Sequence, residues 1–364
     1  MPFSEFHGNS DVVGRLRDML ARNHLPHAVV LAGGQGSGKY TLALMLAQAL
    51  NCLNPASTDG LPDFCGTCAN CTRIAQCRDL DARFAEAVEA RENLREADKK
   101  ATRIFVQTHP DVLVVPPDPP QMMIKVDQVR RVIETIYFRP AEGKERIYIF
   151  TDSAFMKEAA NSLLKVLEEP PEFATIFLLT ENPGELLPTI RSRSMIFTLG
   201  ALTAAAIERD LAQHRPEWKP AQRTLVACLS EGAVGRARGF DLAAYTAARD
   251  HALTILKLAL SGGQHGDLFK ITDSYRSGPE GREKTEALIR TLYSLLHDLV
   301  SMDSGAPELI RNTDIAIELK KMAESASFEW ITSASDRLAE VERGMRRNLL
   351  RSLSLDAFAA ALEK

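Results

Sequence analysis

With 45% hydrophobic and 25% charged residues, a chain of 364 residues has an ordinary globular composition and the length for two or three domains. Its 44 basic and 48 acidic residues leave a net charge of −4, which argues against a protein that binds nucleic acid over its whole surface and favours protein partners. No N-terminal signal pattern is visible and no apolar run approaches the ~20 residues of a membrane span, so the expectation is a cytoplasmic protein whose six cysteines stay reduced.

The first predicted element is a helix over Asp11 to Asn23, with Val12, Leu16, Met19 and Leu20 on one face and Asp11 as its cap. His24 and His27 follow and read as structural. An apolar strand, Ala28 to Ala32, runs into Gly33-Gly34-Gln35-Gly36-Ser37-Gly38-Lys39 and then a helix from Thr41 to Leu50. This is the P-loop arrangement: glycines let successive N–H groups face phosphate oxygens, the helix N-terminus adds its positive end, and the lysine reaches the outer phosphates. Gly33, Gly36, Gly38 and Lys39 are therefore candidate ligands for a nucleotide's phosphates. A glycine-rich turn without a ligand is the competing reading. The motif ends in Ser or Thr because that hydroxyl ligates Mg²⁺. Here the position is Tyr40, whose phenol sits on a ring too long for the task, so the loop is expected to hold phosphate better than metal.

Cys52 and the run Cys65-Gly66-Thr67-Cys68-Ala69-Asn70-Cys71 give two overlapping C-x2-C steps and a fourth cysteine upstream. Four thiolates complete a closed tetrahedral zinc site, which is structural because no position stays open for chemistry. Unliganded reduced cysteines are the alternative; Cys77 could compete as a ligand, and Cys228 is expected in a core. A DNA-reading finger is disfavoured, because the spaced recognition helix and local basic excess are missing. From Asp79 to Val106 mixed charge is dense, with Asp79 and Arg83, and Glu96 and Lys100, spaced i,i+4. The expectation is a solvated helix or helical pair, an exposed insertion more than a partner-binding surface.

Strand patterns return at Asp111 to Val115, Arg146 to Phe150 and Thr175 to Thr180, separated by helical patterns over Val126 to Phe138 and Lys157 to Glu169, the latter halted by Pro170-Pro171. Apolar strands alternating with helices predict an α/β domain with a parallel sheet covered on both faces, over residues 1–200. Beyond Gly200 the pattern is helical: a small module over 201–241, then a larger all-α domain over 242–364. Its apolar period is carried by Leu253, Ile255, Leu256 and Leu258, by Leu288, Leu292, Leu295, Leu296 and Leu299, and by Leu349, Leu350, Leu353, Phe358 and Leu362. Breaks are predicted at Ser261-Gly262-Gly263 and Ser277-Gly278-Pro279.

A P-loop motor also needs an acid at the end of a neighbouring strand to hold Mg²⁺. The strand ending at Phe150 continues Thr151-Asp152-Ser153-Ala154, so Thr151 takes the place of that acid and only Asp152 remains. A fast ATPase is not expected from this site.

The stretches Ser162-Leu163-Leu164-Lys165-Val166-Leu167-Glu168-Glu169-Pro170-Pro171 and Leu186-Leu187-Pro188-Thr189-Ile190-Arg191-Ser192-Arg193-Ser194 resemble the AAA+ clamp-loader family. Cysteines directly after the P-loop helix narrow the resemblance to the bacterial DNA polymerase III loader. Thr151-Asp152, Thr108-His109-Pro110-Asp111 and Val126-Asp127-Gln128-Val129-Arg130 resemble its delta-prime branch more than its gamma/tau motors. The match covers about Phe6 to Ile196; from Gly200 onward only the helical layout is similar, a lid followed by a collar.

The resemblance implies a P-loop AAA+ domain with a zinc module, and a hetero-oligomeric ring that uses ATP to open the sliding clamp and place it on primed DNA. Its partners are gamma/tau and delta subunits, and the delta-prime member is largely rigid, with ATP or ADP weakly hydrolysed or not at all. It also implies that Arg193, in the place of the family's Ser-Arg-Cys arginine, is a finger presented in trans to a neighbour's ATP. An active gamma/tau-type ATPase is the alternative. Ser194 departs from the family's cysteine, and Gly235 stands where the motors carry a second nucleotide-sensing arginine, which Arg236 could partly replace.

Overall fold

The computed structural model describes residues 2–261, 278–346, 357–358 and 362, and the chain falls into two compact units, 1–202 with 233–236 and 203–232 with 237–364. In the first unit, six strands lie in the order β4 (Val106–His109), β5 (Val112–Val115), β6 (Arg146–Phe150), β7 (Ala174–Thr180), β1 (Ala28–Ala32) and β8 (Met195–Thr198). All neighbours pair in parallel except β4, which runs antiparallel to β5. Strands β1 and β7 are buried along their whole length, so alternate residues serve different faces. Val29, Leu31, Ile147, Ile149 and Phe177 face α1 (Ser10–Ala21) and α2 (Lys39–Asn51). Val30, Tyr148, Phe150, Ile176 and Leu178 face α6 (Val126–Ile136) and α7 (Lys157–Glu168). The sheet predicted from the alternation is present, and it carries two edge strands the sequence pattern does not announce. Gln107, Thr108 and His109 make β4 too polar to read as a strand, and β8 is four residues long with three of them exposed. Edge strands need little apolar side-chain material, which hides them from a periodicity argument.

Helix α1 starts one residue earlier than predicted, and Asp11 lies in its first turn instead of capping it. The cap position is Asn9, left-handed at φ 51°, whose side chain turns away to accept from Gly200 N (2.7 Å) and donate to Gly200 O (3.2 Å). After α2 a small hairpin, β2 (Ala56–Thr58) and β3 (Leu61–Asp63), precedes α3 (Ala69–Ala75).

The charged segment forms a helical pair, α4 (Leu80–Glu92) and α5 (Glu96–Ala101). Of its predicted ion pairs, that of Asp79 with Arg83 is replaced, and the side chain of Lys100 lies outside the described residues. Asp79 caps α4 by accepting from Ala82 N, and Arg83 pairs with Glu86 at 2.7 Å. Nor is the insertion merely laid on the surface: Arg91, with 9% of its side chain exposed, pairs at 3.0 Å with Asp118, which also accepts from Ile104 N. A buried charge needs a partner, and this one pins α4 to the chain that leaves β5.

Beyond the sheet the described elements are helices: α9 (Ala204–His214), α10 (Pro220–Leu229), α11 (Val234–Arg238), α12 (Leu242–Ser261), α13 (Gly278–Asp303), α14 (Ala316–Ser325) and α15 (Phe328–Arg346), all but the start of α11 in the second unit. The predicted leucines and isoleucine of α12 and α13 are buried, apart from Leu258, which is partly buried; Phe358 and Leu362 are also buried. Leu349, Leu350 and Leu353, and Gly262, Gly263 and Ser277 of the two predicted breaks, lie outside the described residues, while Ser261 ends α12 and Gly278 and Pro279 open α13. Cys228, expected in a core, is half-buried. At the centre Asp298 accepts from Arg311 N, Asn312 N and Asn312 Nδ2 at 2.8–2.9 Å, while Arg249 grips both oxygens of Asp314 at 2.7 Å. Among the described residues no helix is long and apolar enough to cross a membrane.

Candidate functional site

The P-loop leaves the sheet at the carboxyl ends of β1, β6 and β7, where an α/β sheet leaves its crevice. Gly38, at φ 92°, forms the cap of α2, and Gly36, at φ 78°, lets the loop turn against another backbone. Its O accepts from Gly235 N at 2.9 Å, and a Cβ on Gly36 would lie 2.6 Å from Arg236 N. A side chain at Gly235 would lie equally badly, 2.9 Å from Gly36 O, so this position touches the loop through backbone alone. Ser37 Oγ is buried with no hydrogen-bond partner among the described residues. The backbone cradle and helix N-terminus fit a phosphate.

The side chains around it are less suited to catalysis. Lys39 Nζ donates to Gly33 O (2.6 Å) and Gly34 O (2.9 Å), folding back over its own loop. Burial lowers its pKa, against the opposing pull of the Glu181 and Asp152 carboxylates. Tyr40 packs against the core beneath α2, and its hydroxyl donates to Cys77 O at 2.7 Å. Burial, helped by the nearby Cys77 thiol, pushes the phenol's pKa up. The hydroxyl at the metal-ligand position is thus committed to a backbone carbonyl.

A cavity of about 470 Å³ is lined by Lys39, Tyr40, Thr151, Asp152, Glu181 and Glu185, among others. Asp152 Oδ1 accepts from Ala154 N (2.8 Å), and Glu185 accepts from Ser153 Oγ (2.7 Å). Sequence reasoning found Asp152 and missed the other two acids; the available signal was Glu181 immediately after β7, with Glu185 closing the short turn that follows. This acidic wall opposes a polyphosphate, and the oxygen ligands expected for Mg²⁺, at positions 40 and 151, are a phenol turned away and a threonine.

The cysteine module converges. The Sγ atoms of Cys52, Cys65, Cys68 and Cys71 all lie within 4.8 Å of one another. A zinc–sulfur distance of ~2.3 Å gives a tetrahedron with edges of roughly 3.8 Å, so the group fits that ion. Cys52 sits at the end of α2 and Cys68 at the start of α3. N–H groups of Cys65, Cys68 and Cys71 point at the sulfurs of Cys52, Cys65 and Cys68 at 3.3–3.5 Å. Such donors favour thiolate: those from Thr67 and Cys68 bring the Cys65 pKa down to about 6, whereas burial raises that of Cys71. Cys77 stands outside the group, its Sγ 3.1 Å from Thr108 Oγ1.

Arg17, which sequence reasoning overlooked, donates to Thr58 O, Leu61 O and Pro62 O at 2.6–3.0 Å and so ties the hairpin to α1. A cation among Val13, Leu16 and Leu20 on one helix face was the signal. The Thr108-His109-Pro110-Asp111 stretch is also structural. Asp111 accepts from Ala141 N, Glu142 N and Gly143 N at 2.7–2.8 Å, and His109 Nδ1 accepts from Asp111 N. Burial alone would raise the Asp111 pKa; the three amides outweigh it and hold the carboxyl below its ordinary range.

Arg193 follows α8 (Pro188–Arg191) at the surface: 35% of its side chain is exposed, and it pairs with Glu168 at 2.7 Å. Ser194 Oγ donates to Ile190 O (2.9 Å), closing the turn without a cysteine.

The pattern of the family described as "DNA polymerase III, delta subunit" matches residues 8–203. The delta' subunit of DNA polymerase III from Bacillus subtilis is 26% identical over 343 residues, covering 93% of this chain and 91% of its own. The tau subunit from Escherichia coli is 26% identical over 340 residues, covering 87% of this chain and 46% of its own. The chain spans less than half the length of the tau and tau/gamma relatives it matches. Among solved structures, a gamma-subunit-related protein from Thermotoga maritima covers 95% of this chain and 98% of its own at 18% identity, with a TM-score of 0.43.

Proposed function

The chain belongs to the DNA polymerase III, delta subunit family, and from that premise we propose that it is a non-motor, delta-prime-type subunit of a clamp loader. In this reading it assembles in the cytoplasm with gamma/tau and delta subunits, and helps place a sliding clamp on primed DNA. Within the ring it lends Arg193 to a neighbour's ATP, where a fixed guanidinium meets the charge that develops in phosphoryl transfer. Cys52, Cys65, Cys68 and Cys71 hold a structural zinc, and the loop Gly33, Gly36, Gly38 and Lys39 holds ATP or ADP passively, hydrolysing it weakly or not.

The observation that carries this reading is the state of the P-loop corner. Its lysine bonds its own loop carbonyls, and the adjoining hydroxyl is spent on Cys77 O. A gamma/tau-type motor is the second reading, favoured by the intact glycine loop with Lys39. Steady-state ATP hydrolysis by the purified chain separates them. The non-motor reading expects no turnover above background with Mg²⁺, and a brisk rate abolished by Lys39→Ala would replace it with the motor.

A further inference from the structure

Helix α7 ends at Glu168 because Pro170-Pro171 cannot continue it, which leaves this carboxylate on the last helical residue. The negative end of a helix disfavours an acid there. Glu168 finds its compensation across the fold: Oε1 lies 2.7 Å from Arg193 Nη2. From the other side Arg193 Nη1 donates to Thr189 O at 3.1 Å and approaches Ser192 Oγ at 3.4 Å. The guanidinium is therefore fixed between the end of α7 and the turn of α8. Of its five N–H donors, these contacts engage three at most.

Resting on the reading of Arg193 as a finger, we propose that Glu168 is its positioning residue, holding the guanidinium in the pose in which a neighbouring subunit's phosphates meet it. A free arginine loses several rotamers when it docks, and ordering it beforehand removes that cost from the phosphoryl-transfer step. The pair is exposed, so it is too weak to keep the arginine from a polyphosphate. That makes Glu168 an aligner and not a restraint.

The test is steady-state ATP hydrolysis by the loader reconstituted with its motor subunits, clamp and primed DNA, comparing wild type, Glu168→Gln, Arg193→Ala and the double variant. Glu168→Gln is expected to lower kcat by up to about fivefold, the upper end for one exposed ion pair, with KM for ATP unchanged and no further effect on the Arg193→Ala background. Glu168→Asp is expected to recover part of the rate. An unchanged or raised rate for Glu168→Gln, or an equal loss on the Arg193→Ala background, overturns the proposal while leaving the finger intact. If Arg193→Ala itself changes nothing, the finger falls and the proposal with it. On the isolated chain, NMR of the Arg193 side chain is expected to show greater mobility in Glu168→Gln; equal mobility also overturns it.

Discussion

The cysteine module and the P-loop corner are both motifs legible from spacing, and they lie at opposite ends of α2. In the module, every residue of the motif reaches one point: four sulfurs within 4.8 Å, with backbone N–H groups aimed at them. At the corner the backbone has the expected shape, but the side chains are engaged elsewhere, Lys39 on loop carbonyls and Tyr40 on Cys77 O. Spacing fixes where a backbone goes. Whether the chemistry survives depends on what the neighbouring groups take from each side chain, and Tyr40 spends its hydroxyl on holding the chain after α3 in place.

Removing the ion from the complete motif should give the largest effect. Structural zinc supplies on the order of 10 kcal/mol in small fingers, and here it would close a hairpin and α3 against α2. Chelation, or Cys65→Ser, is expected to lower the melting temperature sharply and open residues 52–78 to protease, with stoichiometric zinc in the untreated protein. Protein that is purified reduced, holds no zinc and melts at the same temperature with chelator breaks this half of the comparison.

The incomplete motif predicts that the chain's catalytic contribution is made outward. Arg193→Ala is expected to leave folding and assembly intact and to lower hydrolysis in the reconstituted ring by up to ~10³-fold at one site. Wild-type rates with this variant would remove the finger and leave the corner without a counterpart.

Much of this was legible because it depends on local chemistry. The strand from Ala28 to Ala32, the glycine turn, the proline stop at Pro170 and the four clustered cysteines each declare themselves within a few residues. What was not legible depends on partners distant in sequence. Nothing near Arg91 announces Asp118, and the apolar helix face that carries Arg17 does not tell that its partners are the carbonyls of Thr58, Leu61 and Pro62. Edge strands β4 and β8 hid because their pattern is set by a single paired neighbour, not by burial on two faces. The acidity of the corner was missed because Glu181 and Glu185 enter it only through the parallel pairing of β7 with β1.

Asp111 sharpens the comparison from the structural side, since the Thr108-His109-Pro110-Asp111 stretch serves as a brace. Asp111→Asn turns an amide group toward three backbone donors and is expected to cost about 3 kcal/mol by denaturant unfolding. The pH dependence has a definite sign. The folded carboxyl titrates below its unfolded value of about 3.9, so its contribution is complete above that value and disappears as pH falls through the folded pKa. The variant should therefore lose stability at neutral pH and show a flatter acid limb below about pH 4. Parallel curves for the two proteins would mean that the amides around Asp111 do not depend on its charge.

The smallest effect belongs to Tyr40→Phe, which keeps the ring against the core and removes only its bond to Cys77 O. The expected loss is about 1 kcal/mol, the net value of one such hydrogen bond, with no gain of ATP turnover because the residue still offers no metal ligand. Tyr40→Thr separates the two consequences of this position. It restores the short hydroxyl while leaving a cavity where the ring was, so it should cost more stability than Phe, and with Thr151 still in the place of the metal acid it should remain inactive. If Tyr40→Thr alone produced Mg²⁺-dependent hydrolysis, the deficit at the corner would reside in the tyrosine by itself, and Thr151 and the wall of Asp152, Glu181 and Glu185 would be compatible with a working site.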